Sequence, residues 1–451
     1  MTLPNGHLRR ALIGALAAIT LLAAPSLGFG SQANGAANGL RAYIITPQSD
    51  VPPPAAPPSN ALRALQARLG RTLNGQGGYN GALVVDETTD RTLWAYKPTT
   101  GRLPASVEKL WTTTTALFEF GPKATFKTSV LGVGRLSTNG TYTGTIYLRG
   151  GGDPTFGSAA FDQRMYNAGA TVQSLARAVR AHGIRRIDGT IVGDASYFDS
   201  LEGGPASDYH ANLETEGAIS ALSYDAGFTN ILEEQLVHNP ALSATRAFTA
   251  ALRAAGVAIP PSTRVRTGVT PAKAALLAAI SSPKLSELLA LTNSPSDNFF
   301  AEMLLKNLGA RFGGVGSTAV GAAVVRKVIA ARFGLHPRLN DGSGLSRYDR
   351  SSPQQMVLLL REMQSDPYFW NSLAVAGVRG TMKQEMVDTS AAGNCRGKTG
   401  SLHDVANLVG YCRAANGNEL VFAFMMNGLS DSSAGHLLED QAAEALAAYR
   451  G

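Results

Sequence analysis

Ser106 and Lys109 stand three residues apart in Ser106-Val107-Glu108-Lys109, a run that reads as the start of a helix. A serine hydroxyl is a poor nucleophile near neutral pH and needs a base within hydrogen-bond reach. Residues i and i+3 share one helix face, so the Lys109 amine can reach the Ser106 oxygen. To accept a proton Lys109 must be neutral, a state favoured by burial and by a nearby positive charge such as Lys398. The helix N-terminus at Ser106 also stabilises negative charge developing there.

Two later segments complete such a site. Ser296-Asp297-Asn298 precedes an apolar-aromatic helix carrying Phe299, Phe300, Met303 and Leu304. Its plain reading is a helix N-cap, which Ser and Asp favour. Its chemical reading makes Ser296 a proton shuttle between Lys109, Lys398 and a leaving amine, with Asn298 binding substrate amide. Lys398-Thr399-Gly400-Ser401 reads as a strand. Gly400, without a side chain, lets a substrate backbone pair along that edge. Thr399 and Ser401 can bind a terminal carboxylate, with Lys398 supplying charge. The backbone N–H groups of Ser106 and Ser401 are the expected oxyanion hole. Each segment alone is an ordinary helix face, cap or strand. Together, on helix, helix-start loop and strand, they specify serine acyl transfer.

The elements that must hold these residues follow from pattern. The Ser106 helix runs to about Phe120, where Gly121-Pro122 ends it. Upstream, Ser59 caps a helix with Leu62, Leu65, Leu69 and Leu73 on one face, and Gly81 to Asp86 and Thr92 to Tyr96 read as paired strands. The last strands are Cys395–Ser401, Val405–Cys412 and Glu419–Met426, followed by a helix through Leu438, Ala442 and Ala445. One five-stranded antiparallel sheet drawn from both ends satisfies this, with terminal helices on one face and the Ser106 helix behind the other. Between them Phe126–Val133, Thr141–Leu148 and Ile187–Val192 form a strand-rich insert, with Val172–Ala181 a helix within it. Helical periodicity returns near Ala247 and dominates to about Ser365. The expected division is 59–124 plus 268–451 for the catalytic domain and 125–267 for the insert.

At 451 residues, 44% hydrophobic and 16% charged, the chain has the composition of a folded protein with a large core. Its net charge of +7 suits anionic polymers such as an acidic cell wall. No Lys/Arg run supports nucleic-acid binding. Arg9 and Arg10 before the apolar run Ala11–Ala24 mark residues 1–30 as an export signal or N-terminal anchor. Residues 31–58, ending in Pro52 to Pro58, read as a semi-extended tether. If the last strands turn near His403, Cys395 faces Cys412 across a hairpin; a disulfide and two free buried cysteines both fit. The seven histidines show no metal-ligand spacing, and no cofactor motif is present.

The three segments, in this order, are the S-x-x-K, S-D-N and K-T-G set of penicillin-binding proteins and class A β-lactamases. With Leu103-Pro104-Ala105-Ser106, Gly150-Gly151-Gly152-Asp153-Pro154-Thr155, Asp341-Gly342-Ser343-Gly344-Leu345-Ser346-Arg347 and Val375-Ala376-Gly377-Val378, the chain resembles the D-Ala-D-Ala carboxypeptidase/endopeptidase family of class C, low-molecular-mass penicillin-binding proteins. The resemblance spans most of residues 60–451. It implies an α+β, β-lactamase/transpeptidase-like domain with an inserted strand-rich domain. The implied enzyme sits outside the cytoplasm and cleaves peptidoglycan stem peptides or cross-links through an acyl-enzyme on Ser106. β-Lactams are its implied inhibitors. The resemblance further implies that Asp153 and Arg347 hold a zwitterionic diaminopimelate side chain; the plain readings are a turn-forming Asp and a surface Arg. The interval from Ser106 to Ser296 is shorter than the family's, which implies a reduced or absent third nested domain. A β-lactamase or esterase on the same fold, and a non-catalytic wall-binding protein, are the alternatives.

Overall fold

The structure is a computed structural model that describes residues 58–451, apart from 74–77, 231, 233 and 234. The expected export segment 1–30 and all of the tether except Pro58 lie outside the described residues. Among the described residues no helix is long and apolar enough to cross a membrane.

The strands in chain order are β1 (Gly81–Asp86), β2 (Arg91–Tyr96), β3 (Lys127–Leu136), β4 (Thr141–Arg149), β5 (Arg186–Asp194), β6 (Arg264–Thr267), β7 (Ala275–Ser281), β8 (Ala374–Val375), β9 (Cys395–Leu402), β10 (Val405–Arg413) and β11 (Glu419–Asn427). The first sheet has the order β2-β1-β11-β10-β9-β8 and is antiparallel throughout. It joins the two ends of the chain as the pattern predicts, with a sixth, two-residue strand at one edge.

β1, β10 and β11 are almost wholly buried because both faces of this sheet are covered. Side chains alternate between faces along a strand. Ala82, Val84, Leu408, Cys412, Phe422 and Phe424 pack with Leu62, Leu65 and Leu69 of the Asn60–Leu73 helix and Ala442, Ala443 and Leu446 of the Ser432–Ala447 helix. Leu83, Val85, Val409, Tyr411, Val421 and Ala423 face the opposite core, which holds Val107, Leu110 and Trp111 of the Ser106 segment. A one-residue register slip would exchange the two sets, so the pairing is strongly fixed.

The second sheet, β6-β5-β4-β3-β7, packs against the Val172–Ala181 and Pro240–Ala254 helices around a third core. The sequence expectation fails at its far edge. β6 and β7 lie where helical periodicity was expected, and β7 falls beyond the boundary expected at 267. The Ala/Leu-rich β7 segment, Ala-Leu-Leu-Ala-Ala-Ile-Ser, pairs antiparallel with β3, so tertiary pairing overrides its local helix preference. The segments that lead into β3 and out of β7 run side by side. Ser282 N–H donates to Phe126 O at 2.8 Å, and Leu285 N–H to Ala124 O at 2.8 Å.

Candidate active site

Ser106 lies in a single 3₁₀ turn, Ala105–Glu108, that leads directly into the α-helix Lys109–Phe120. In a 3₁₀ turn residues i and i+3 eclipse one another. Lys109 Nζ therefore stands over Ser106 and donates to its Oγ at 2.8 Å. The same amine donates to Asn298 Oδ1 at 2.5 Å and to Ser343 O at 2.9 Å. Across the cleft, Lys398 Nζ donates to Ser296 Oγ at 2.7 Å and to Thr399 O at 2.8 Å. Both lysines are fully buried. Three segments far apart in sequence thus meet as two serine–lysine pairs.

Backbone conformation at the site is held off its minimum. Ala105 has φ 48° and Ser296 φ 73°. Such positions cost on the order of 1–3 kcal/mol each and persist only where surrounding contacts enforce them. Asp297, next to Ser296, supplies the helix cap by accepting from Phe300 N at 2.8 Å. The cap and the chemical reading of this tripeptide coexist, carried by different residues.

The strand edge is open where a substrate would pair. β8 covers β9 only at Arg396 and Gly397. Ala376 N–H donates to Cys395 O on that side. Peptide groups of alternate strand residues share a side, so Thr399 and Ser401 direct theirs to the uncovered edge. Gly400 also lies against the Ser106 turn. A Cβ there would lie 2.7 Å from Pro104 O and 3.2 Å from Ser106 N, so its bareness lets the strand touch the backbone of the Ser106 turn.

A family model described as "D-Ala-D-Ala carboxypeptidase 3 (S13) family" matches residues 65–234 and 228–449. The chain belongs to the S13 family. Among curated relatives it is 28% identical to a D-alanyl-D-alanine carboxypeptidase of Actinomadura sp. (strain R39), over 83% of this chain and 82% of that protein. It is 29% identical to Carboxypeptidase DacB of Mycolicibacterium smegmatis, over 84% and 83%. Its fold resembles the crystal structure of penicillin-binding protein 4 (DacB) from Haemophilus influenzae, with TM-score 0.70 and 22% identity, covering 85% of this chain and 98% of that one.

Within this S13 chain, burial sets the lysine electrostatics. Desolvation lowers Lys109 to about 8, while Glu216, Asp297, Asp341 and Glu302 oppose the shift. Lys398 is pushed well below its ordinary value, by burial first and by the charge of Lys109 second. The sequence expected Lys398 to depress Lys109; the charge effect falls on Lys398 instead.

Several site neighbours were not legible. Asn407 Nδ2 donates to Leu103 O at 3.0 Å and Pro104 O at 2.7 Å, and Asn427 Oδ1 accepts from Leu103 N at 2.7 Å, which ties the Ser106 approach to the sheet. A buried Asn inside the apolar run of β10 was the available signal. Glu302 Oε1 accepts from Gly342 N, Ser343 N and Ser343 Oγ at 2.9, 2.9 and 2.7 Å, aiming Ser343 O at Lys109. Glu216 and Glu214 reach over from the insert. Asn298 N–H donates to Glu216 Oε2 at 2.5 Å, and Asn298 Nδ2 to Glu214 O at 2.7 Å. One amide hydrogen of Asn298, expected to be free for substrate, is therefore spent on the protein itself.

Asp153 and Arg347 are differently placed. The Asp153 carboxyl is enclosed, with Oδ1 held by Thr155 N at 2.8 Å and Thr155 Oγ1 at 2.7 Å, and Oδ2 without a hydrogen-bond partner. Burial raises it to about 7. Arg347 is exposed and pairs with Asp404 at 2.5 Å, in the turn just beyond Ser401. Cys395 and Cys412 face each other in the β9–β10 register and form a disulfide.

Proposed function

We propose that the chain is a serine-type D-Ala-D-Ala peptidase acting on peptidoglycan stem peptides through an acyl-enzyme on Ser106. The observation that carries this reading is the pair of buried lysines, one on Ser106 Oγ at 2.8 Å and one on Ser296 Oγ at 2.7 Å. Neutral Lys109 takes the Ser106 proton as Oγ attacks the penultimate D-Ala carbonyl. The oxyanion rests on the N–H groups of Ser106 and Ser401. The peptide C–N bond then breaks. Ser296, held by Lys398 Nζ at 2.7 Å, gives its proton to the leaving amine of D-Ala and regains the one that Lys109 took from Ser106, which returns Lys109 to its neutral form. Water hydrolyses the Ser106 ester and restores the hydroxyl.

The substrate backbone adds along the free edge of β9, and its terminal carboxylate meets Thr399, Ser401 and the charge of Lys398. Asn298 uses its second amide hydrogen on substrate. Exposed Arg347, beside Asp404, and Asp153 serve the stem-peptide side chain. β-Lactams acylate the same serine. The second sheet is an inserted accessory domain whose return strand, β7, extends it past residue 267. The reading places the enzyme outside the cytoplasmic membrane, exported by an N-terminal segment that is either cleaved or kept as an anchor, where a disulfide persists. Mass spectrometry of monomeric pentapeptide and cross-linked muropeptides tests it. Wild type releases D-Ala or opens the cross-link and Ser106→Ala does neither; unchanged muropeptides with wild type would refute the activity.

A further inference from the structure

Ser401 carries a hydrogen-bond chain that the acyl-transfer chemistry does not use. Its Oγ lies 2.8 Å from His436 Nε2, and His436 Nδ1 lies 3.0 Å from Glu439 Oε2. His436 and Glu439 are one turn apart on the Ser432–Ala447 helix, which packs on the sheet behind β9. Ser401 is exposed and His436 part-buried, whereas the Glu439 side chain is only 2% exposed. Glu439 Oε1 has no hydrogen-bond partner. The titratable groups around the imidazole are Glu439 and Asp440 on its own helix and Glu385 on the segment leading to β9.

We propose that the His436–Glu439 pair is a positioning device that decides whether Ser401 donates its hydroxyl proton to a substrate carboxylate. The proposal rests on the peptidase reading above.

The number of protons on the pair sets the direction of each hydrogen bond. A neutral imidazole has one N–H and one lone pair, and a carboxylate can only accept. When the pair holds two protons, as imidazolium with carboxylate or imidazole with carboxylic acid, Nε2 carries a proton and donates to Ser401 Oγ. The Ser401 hydroxyl is then free to donate into the cleft. When the pair holds one proton, Glu439 claims Nδ1–H and Nε2 presents a lone pair. Ser401 must then donate to His436, and its oxygen turns lone pairs toward the substrate carboxylate. A donor becomes a repelling acceptor. Burial raises Glu439 well above the carboxylate range, which favours the two-proton state. Asp440, raised to about 6, and Glu385, raised to about 7, both by burial first, are the acidic neighbours of the pair. Low pH therefore favours substrates with a free C-terminal carboxylate.

The test measures kcat and KM from pH 5.5 to 9 for a D-Ala-D-Ala-terminated peptide and its C-terminal amide, with wild type, His436→Phe and Ser401→Ala. For wild type the KM ratio of acid to amide rises with pH by roughly 10- to 100-fold, the worth of one hydrogen bond to a charged group. For both variants the ratio is flat, while the kcat limb belonging to Lys109 is retained. A flat wild-type ratio, or a pH-dependent ratio that survives in His436→Phe, would overturn the proposal. If His436→Phe does not fold, His436→Asn, too short to reach Ser401, carries the same expectation. Labelling by fluorescent penicillin separates the two levels. A wild type that is not acylated sinks the peptidase reading, whereas an acylated one with a flat ratio sinks only the His436 assignment.

Discussion

Gly400→Ala probes how the strand and the nucleophile are fitted together. The added Cβ would lie 2.7 Å from Pro104 O, 3.1 Å from Val107 N and 3.2 Å from Ser106 N. All three are backbone atoms, so no side-chain rotation relieves the contact. Heavy atoms in ordinary contact lie about 3.5 Å apart, which leaves a shortfall of about 0.8 Å against Pro104 O. Pro104 O is itself held by Asn407 Nδ2 at 2.7 Å, so the load passes to β9 and to the turn carrying Ser106. Ser401 N–H moves away from Ser106 as a result. A misplacement of about 1 Å can cost about 100-fold in rate, so acylation by fluorescent penicillin should fall by roughly 30- to 100-fold. The melting transition should remain cooperative, because the neighbouring pairs Thr399–Leu408 and Ser401–Ala406 are untouched. Wild-type acylation with an unchanged melting temperature would refute the claim that Gly400 exists for this contact.

Lys109→Ala should lower acylation by about 10²- to 10⁴-fold, the usual worth of a positioned base, as read by stopped-flow penicillin labelling. In wild type the acylation rate should rise with pH through about 8, as Lys109 loses its proton. Glu216→Gln, which removes the largest charge opposing that loss, should move the limb to lower pH. Urea unfolding should show greater stability at pH 5 than at pH 8. Glu302 is raised from 4.5 to about 7 and Asp349 from 3.8 to about 6, both by burial, while Glu108 and Asp341 are raised further. A raised acid contributes fully below its unfolded value and loses that contribution as pH climbs through the folded one, about 3 kcal/mol for Glu302 alone. Reducing Cys395–Cys412, a bridge spanning 17 residues, should lower stability by about 1–3 kcal/mol in the same assay.

The sequence carried the chemistry further than the scaffold. That Ser106, Lys109, Ser296, Asn298 and Lys398 come together was legible, because serine activation would restrict both residue type and order. The hairpin register that opposes Cys395 to Cys412 was legible because the Lys398-Thr399-Gly400 strand and the apolar run Val405–Tyr411 flank a short polar turn. β6 and β7 were hidden, since their Ala, Leu and Arg content has no strand signature until β3 and β5 are there to pair with them. The fit of Gly400 against Pro104, and the lone oxygen of enclosed Asp153, depend on segments brought together from distant parts of the chain. Glu216 was invisible for the same reason, being one acid among several in a loop whose partner lies 82 residues away. Local pattern marks what must react; long-range packing decides what touches it.

Acylation at one serine, Ser106, is the central requirement of the proposed chemistry. Incubating the purified chain with fluorescent penicillin and mapping the adduct by peptide mass spectrometry tests it directly. Label should appear on the peptide containing Ser106 in wild type and vanish in Ser106→Ala. An unlabelled wild type, or equal label on both proteins, would contradict it.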